Sequence, residues 1–167
     1  MVDLYKNAWR ERLLAARRLQ PAAVRVAGDR ARDRHVADLR AGGPVAAYAS
    51  FGTEPDTAGL LRPGDLLPVL RPDRDLDWRA HPHGLPLGPD AVTMCDLVLV
   101  PALAVDRRGV RLGRGGGSYD RALPRARGLL VALLHEGELV EELPAEPHDV
   151  RVHAVLLPTG LVTLRPR

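Results

Sequence analysis

The stretch DLVLVPALAVDRRGVRLGRGGGSYDR, Asp96 to Arg121, carries the strongest structural signal in the chain. Its first part, DLVLVPAL, is apolar without alternation, the pattern of a strand covered on both faces. Its second part, Gly109 to Arg121, holds five glycines interleaved with Arg111, Arg114 and Arg121. A buried strand that runs into a glycine-rich, cationic segment is how open α/β sheets present an anion site.

Working outward, VAAYAS from Val45 and DLLPVL from Asp65 read as further strands, separated by the turn FGTEPDT and a brief helix over 57–61. Downstream, a short helix is expected over 119–126. GLLVALL from Gly128 is another buried strand, and weaker extended segments fall at 152–157 and 161–164. Two helices precede them. The first runs from Asp3, its expected cap, to about Arg18, with Trp9, Leu13 and Ala16 on one side. Lys6, Arg10 and Arg17 share a similar face, at i, i+4 and i+11. The second runs from Pro21 to Arg40, where proline suits the first turn and Gly42-Gly43 the end; its charges are expected on a solvated face. RPDRDLDWRAHPHGLPLGPDA, 71–91, is rich in Pro, Gly and Asp and is expected to be a long surface loop, anchored by Trp78. Helices followed by short apolar strands favour a layered α/β domain, one unit spanning residues 1–167.

Composition narrows the function. Hydrophobic residues at 46% and charged ones at 27% are ordinary for a globular protein. No apolar run approaches the roughly 20 residues of a membrane span, and the N-terminus lacks the apolar core of a secretory signal. With the single Cys95 precluding an internal disulfide, the expected location is the cytoplasm. The net charge of +3 is spread among 21 acidic and 24 basic side chains without a basic tail, so nucleic acid is not the expected partner. Of those 24 cations only Lys6 is a lysine. A compact ammonium and a planar fork are different tools, so its position is informative.

The Gly/Arg segment reads as a polyphosphate site. Gly113, Gly115, Gly116 and Gly117 let a ligand approach backbone amides, which can form an anion-binding nest. Arg111, Arg114 and Arg121 offer forked donors that match phosphate oxygens. The helix start that follows is expected to add a favourable dipole. Asp120 supplies a hard oxygen for the Mg²⁺ that accompanies nucleotide phosphates. It is not a P-loop, since no G-K-[ST] follows the glycines. His81 and His83 have a spacing compatible with metal but no supporting cluster, and are read as loop residues.

The segment from Asp96 to Leu123 resembles the signature of the 5-formyltetrahydrofolate cyclo-ligase family. KNAWRERLLAARR at the N-terminus, YASFGTEPDT and ELPAEPHD agree with that family in order and spacing. The resemblance implies a single three-layer α/β/α domain with a mostly parallel central sheet. It also implies an enzyme that closes 5-formyltetrahydrofolate to 5,10-methenyltetrahydrofolate, using ATP with Mg²⁺ and releasing ADP and phosphate.

By the same resemblance, Lys6 and Arg10 match the pair that contacts ATP phosphates, with Arg10 also near folate. Arg111, Leu112, Gly113, Arg114, Gly115, Gly116, Gly117, Ser118 and Tyr119 match the nucleotide loop, whose residues 114–118 also border the folate. Lys6, Arg10 and Arg114 take the catalytic roles of charge neutralisation and positioning, which phosphoryl transfer needs more than covalent help. Glu54 matches the residue that binds the pterin, Phe51 can pack on it, and Asp120 and Asp149 match two metal-binding aspartates. A monomer acting on a small molecule is expected. The chain departs from the family in three places: Ser118 stands where a tyrosine is common, the central loop lacks a clear Glu-Pro, and Leu157 stands near a usual threonine. A nucleotide- or phosphate-binding paralogue without cyclo-ligase activity is the alternative these departures keep open.

Overall fold

The computed structural model describes residues 2–164, with side chains from Leu4 onward. Helix α1, Val2–Leu19, is followed at once by α2, Ala22–Leu39. The Asp3 side chain, expected as a cap, lies outside the described residues. Ten strands follow: β1 Val45–Ala46, β2 Leu66–Leu70, β3 Leu76–Ala80, β4 Leu97–Pro101 and β5 Ala104–Asp106. The remainder are β6 Arg111–Leu112, β7 Leu129–Leu133, β8 Leu139–Val140, β9 Ala154–Leu157 and β10 Gly160–Thr163, with helix α3, Ser118–Ala122, between β6 and β7.

Seven strands form the main sheet in the order β10-β9-β7-β4-β1-β2-β3. Its inner pairs are parallel, and only the edge pairs β9–β10 and β2–β3 are antiparallel. Continuous apolar sequence in β4 and β7 follows from this position, since both faces of a parallel sheet must be covered. Leu97 and Leu99 pack on one side with Val36 of α2. Val98 and Val100 pack on the other with Val92, Ala122 and Leu123, which belong to α3 and the short turns of helix around it.

DLVLVPAL forms the strand expected, β4 over Leu97–Pro101; beyond it the chain leaves the main sheet, and β5 joins β6 and β8 in a second, three-stranded sheet. Leu13 of α1 packs there with Leu103, Val110, Leu112 and Leu143, bordered by half-buried Trp9, while Ala16 remains exposed. Residues 71–91 are not a surface loop throughout. A turn over 71–75 reverses the chain, and β3 pairs with β2 along its whole length. Trp78 lies at 0% exposure in the core, not as an anchor from outside. Arg, Asp and Pro dominate the segment's composition because they occupy its turns and its outer face.

The charged residues of α2 are also not uniformly solvated. Arg32 is buried at 1% exposure, donating to the Leu134 carbonyl at 2.8 Å and pairing with Asp29. Sheet order then locates the site. From β1 the chain proceeds to β2 and β3 on one side, then crosses to β4 on the other. The carboxyl ends of β1 and β4 therefore flank a topological switch point, where ligands of open α/β sheets bind.

Candidate active site

The residues after β1 and the loop after β6 meet at this switch point. Following Ala46, the chain folds into a tight turn in which Glu54 donates its amide to the Phe51 carbonyl at 3.2 Å. The Glu54 carboxylate in turn accepts the Phe51 amide at 3.2 Å. Across the crevice, Arg114 Nε donates to Glu54 Oε1 at 2.9 Å, and its guanidinium lies 4.5 Å from the centre of the Phe51 ring. Phe51 is exposed at 62%, a large ring offered to a flat partner. Glu54, Phe51 and Arg114 thus come together as the sequence predicts.

The loop itself is shaped by glycines. Gly115 and Gly117 have φ of +96° and +72°, backbone that side chains rarely adopt. Arg10 reaches over from α1, donating Nε to the Gly113 carbonyl at 3.0 Å. Arg10 is also held by Asn7 at 2.6 Å. Gly116 and Arg114 are exposed, while Gly117 and Ser118 are half-buried.

Three residues of the expected nucleotide loop have their side chains directed into the protein. Arg111 is buried and already committed: it pairs with Asp120 Oδ1 at 2.7 Å and donates to the Pro101 carbonyl at 3.2 Å. Leu112 is buried in the core with Leu13. The Tyr119 ring turns inward against the sheet, and its buried hydroxyl has no hydrogen-bond partner among the described residues. Burial, outweighing the nearby Arg111 charge, pushes that hydroxyl's pKa well up. Helix α3 has only five residues, too few aligned peptides for a substantial dipole. Gly115, Gly116 and Arg121 are exposed at the loop's surface, beside an Arg114 that is exposed but bonded to Glu54.

One turn back along α1, about 6 Å from Arg10 by helical rise, Lys6 is buried at 7% exposure. Its Nζ lies 2.7 Å from Glu146 Oε2 and 3.0 Å from Asp149 Oδ2. Burial alone would lower the lysine pKa, but bonds and charges from both carboxylates reverse that and raise it, so Lys6 is cationic at neutral pH. Glu146, which sequence reasoning passed over in ELPAEPHD, is Lys6's nearest partner. Its spacing of three from Asp149 is the signal that could have found it.

Glu146, His148 and Asp149 each offer a ligand atom within 4.8 Å of the others. The two carboxylates suit a hard cation such as Mg²⁺, which binds through one or two of them plus phosphate and water; the exposed imidazole of His148 suits it poorly. Asp120 stands outside this group, paired with Arg111 as Glu146 and Asp149 are paired with Lys6.

These features place a glycine-rich loop bordered by Arg10 and Arg114 at the switch point of an α/β sheet, with an acidic turn facing it. The model of the 5-formyltetrahydrofolate cyclo-ligase family matches residues 74–158. A 5-formyltetrahydrofolate cyclo-ligase of Mycolicibacterium smegmatis is 38% identical, over 96% of this chain and 97% of its own. One from Escherichia coli is 33% identical over 69% of this chain and 78% of its own. In fold, the chain resembles the 5,10-methenyltetrahydrofolate synthetase of Aquifex aeolicus, with a TM-score of 0.76 at 23% identity over 96% of this chain and 93% of that one. The chain belongs to the 5-formyltetrahydrofolate cyclo-ligase family, a family of enzymes.

Proposed function

We propose that this protein closes 5-formyltetrahydrofolate to 5,10-methenyltetrahydrofolate, consuming ATP with Mg²⁺ and releasing ADP and phosphate. The observation that carries the reading is the meeting of Glu54, Phe51 and Arg114 beside the glycine loop. A carboxylate that can accept the paired N–H donors of a pterin and a ring that can stack on it stand across from an anion-binding backbone.

A formamide carbonyl is a poor electrophile, and its oxygen needs conversion into a leaving group. Transfer of the γ-phosphoryl group to the formyl oxygen breaks the bond to ADP and supplies that group. N10 of the folate then attacks the formyl carbon and loses its proton, and the carbon–oxygen bond breaks with phosphate departing. Glu54 and Phe51 hold the pterin so that the formyl oxygen faces the loop. Amides of residues 113–117, with Arg10, Arg114 and Lys6, bind the triphosphate and stabilise the charge that builds in transfer.

Mg²⁺, when bound, neutralises phosphate charge and aligns the transferred group. Asp149 and Glu146 are the residues we assign to it. Asp120, the second expected ligand, we assign instead to orienting Arg111 beneath the loop. The covering of both sheet faces supports a three-layer reading, and we take residues 1–167 as one domain acting as a cytoplasmic monomer. Among the described residues no helix is long and apolar enough to cross a membrane.

Methenyltetrahydrofolate has its own near-ultraviolet absorbance. Purified protein mixed with 5-formyltetrahydrofolate, ATP and Mg²⁺ develops that band on this reading. ATP binding without any band would instead identify a non-catalytic paralogue.

A further inference from the structure

Behind the Glu54 turn lies a buried polar chain that phosphoryl transfer does not use. His135 follows β7 at the carboxyl edge of the sheet, at 3% exposure. Its Nε2 lies 2.9 Å from the Thr53 carbonyl oxygen. A carbonyl only accepts, so Nε2 carries the proton. The His135 amide donates to Glu138 Oε2 at 2.8 Å. Glu138 is gripped by Arg17 through Nε at 2.7 Å and Nη2 at 2.9 Å, and the same Nη2 reaches the Ala102 carbonyl at 2.6 Å. Arg17 continues the face of α1 that carries Lys6 and Arg10.

We infer that His135 is a positioning residue for Glu54, holding the pterin-binding turn in register with α1 through Thr53; the inference rests on the cyclo-ligase reading above. The turn moves as one piece, because Glu54 and Phe51 are bonded to each other through amide, carbonyl and carboxylate. Fixing the Thr53 carbonyl therefore fixes the neighbouring Glu54. A buried Arg–Glu pair is weak evidence for stability, since apolar residues often do as well. Here the pair ends on one hydrogen bond to Thr53, the residue beside the pterin-binding carboxylate of Glu54, which is what registry requires. Burial keeps the imidazole pKa low, so the ring adds no second cation beside Arg17.

The test is steady-state kinetics on full-length variants. His135→Phe keeps the ring without the donor, and His135→Asn keeps an amide that stops short of Thr53. His135→Gln places an amide nitrogen near the position of Nε2. Loss of one neutral hydrogen bond is expected to raise the 5-formyltetrahydrofolate KM about 5–10-fold in the first two. The ATP KM and kcat stay near wild type, and His135→Gln recovers most of the loss. His135→Asn serves where the phenylalanine variant does not fold. A folate KM unchanged in the variants of an active enzyme overturns the inference and leaves the reading intact. So does a lowered Tm with both KM values rising together and no rescue by glutamine. Wild type that forms no methenyltetrahydrofolate removes the reading and the inference with it.

Discussion

Arg114 and Glu54 satisfy each other: the guanidinium donates to the carboxylate at 2.9 Å while lying over Phe51. Both partners are assigned to ligands, Glu54 to the pterin and Arg114 to the triphosphate. The bond therefore spans the boundary between two substrates, and folate that takes Glu54 leaves the arginine's fork for phosphate. Charge-assisted bonds of this kind are strong enough to order the ligand-free site without locking it.

Removing one charge from this pair separates the roles. Glu54→Gln keeps the shape but weakens a bond to a charged group, a change of about 1.5–3 kcal/mol, or roughly 10–100-fold. The 5-formyltetrahydrofolate KM rises by that factor while the ATP KM stays within about threefold. A selective ATP defect would remove Glu54 from the folate site.

Lys6 is expected to matter for both activity and stability. A fully buried pair broken on one side costs ~3–5 kcal/mol, and the partial exposure of Glu146 lowers this to about 1–2 kcal/mol for Lys6→Ala. Thermal melts should show a fall of about 2–8 °C, together with a raised ATP KM.

The same cluster predicts a pH signature. The Lys6 bond and charge hold the Glu146 carboxyl below its ordinary 4.5. A lowered carboxyl pKa stabilises above the ordinary value, and that stability is lost as pH falls through the folded value. The Tm gap between wild type and Glu146→Gln is thus constant from pH 6 to 8, by this argument, and narrows below about 4.5. A gap that widens in acid contradicts the Lys6–Glu146 pairing.

Gly115 is a loop position at which a methyl group meets both a left-handed backbone and a close neighbour. At φ of +96° any side chain is strained, and a Cβ there lies 3.3 Å from Arg10 Cζ. Gly115→Ala is expected to cost about 1 kcal/mol or more in backbone strain and to push Arg10 off the Gly113 carbonyl. The ATP KM should rise more than the folate KM, as measured at saturating levels of the other substrate.

The α/β order of elements and part of the candidate site's layout were legible in the sequence. Lys6 stood out as the only lysine, Arg10 followed at one helical turn, and the glycine loop announced itself by composition. Glu146 was missed because a carboxylate in a Pro-rich tail looks solvated until its buried partner is known. His135, Glu138 and Arg17 are far apart in sequence, and no local pattern joins them. The division at Pro101 was invisible for another reason: both β4 and β5 are buried, so hydrophobicity does not change where the strand leaves one sheet for the other. In 71–91 the turn-forming Asp, Pro and Arg outnumbered the inward residues Leu76 and Trp78, and hid β3.

Trp78 tests that correction. An anchor on a surface loop could be truncated at little cost, whereas a tryptophan at 0% exposure in the main core cannot. Trp78→Ala should lose about 3–5 kcal/mol, read as a lower urea midpoint. A midpoint unchanged from wild type would return the segment to the surface.

The claim on which the mechanism stands is that the 113–117 backbone and its cationic neighbours hold the triphosphate beside the formyl-folate. A crystal structure with a non-hydrolysable ATP analogue, Mg²⁺ and 5-formyltetrahydrofolate tests it directly. The account predicts phosphate oxygens on those amides, Arg114 turned from Glu54 toward them, and the pterin on Glu54 and Phe51. Nucleotide bound elsewhere, with the Arg114–Glu54 bond unbroken, would contradict it.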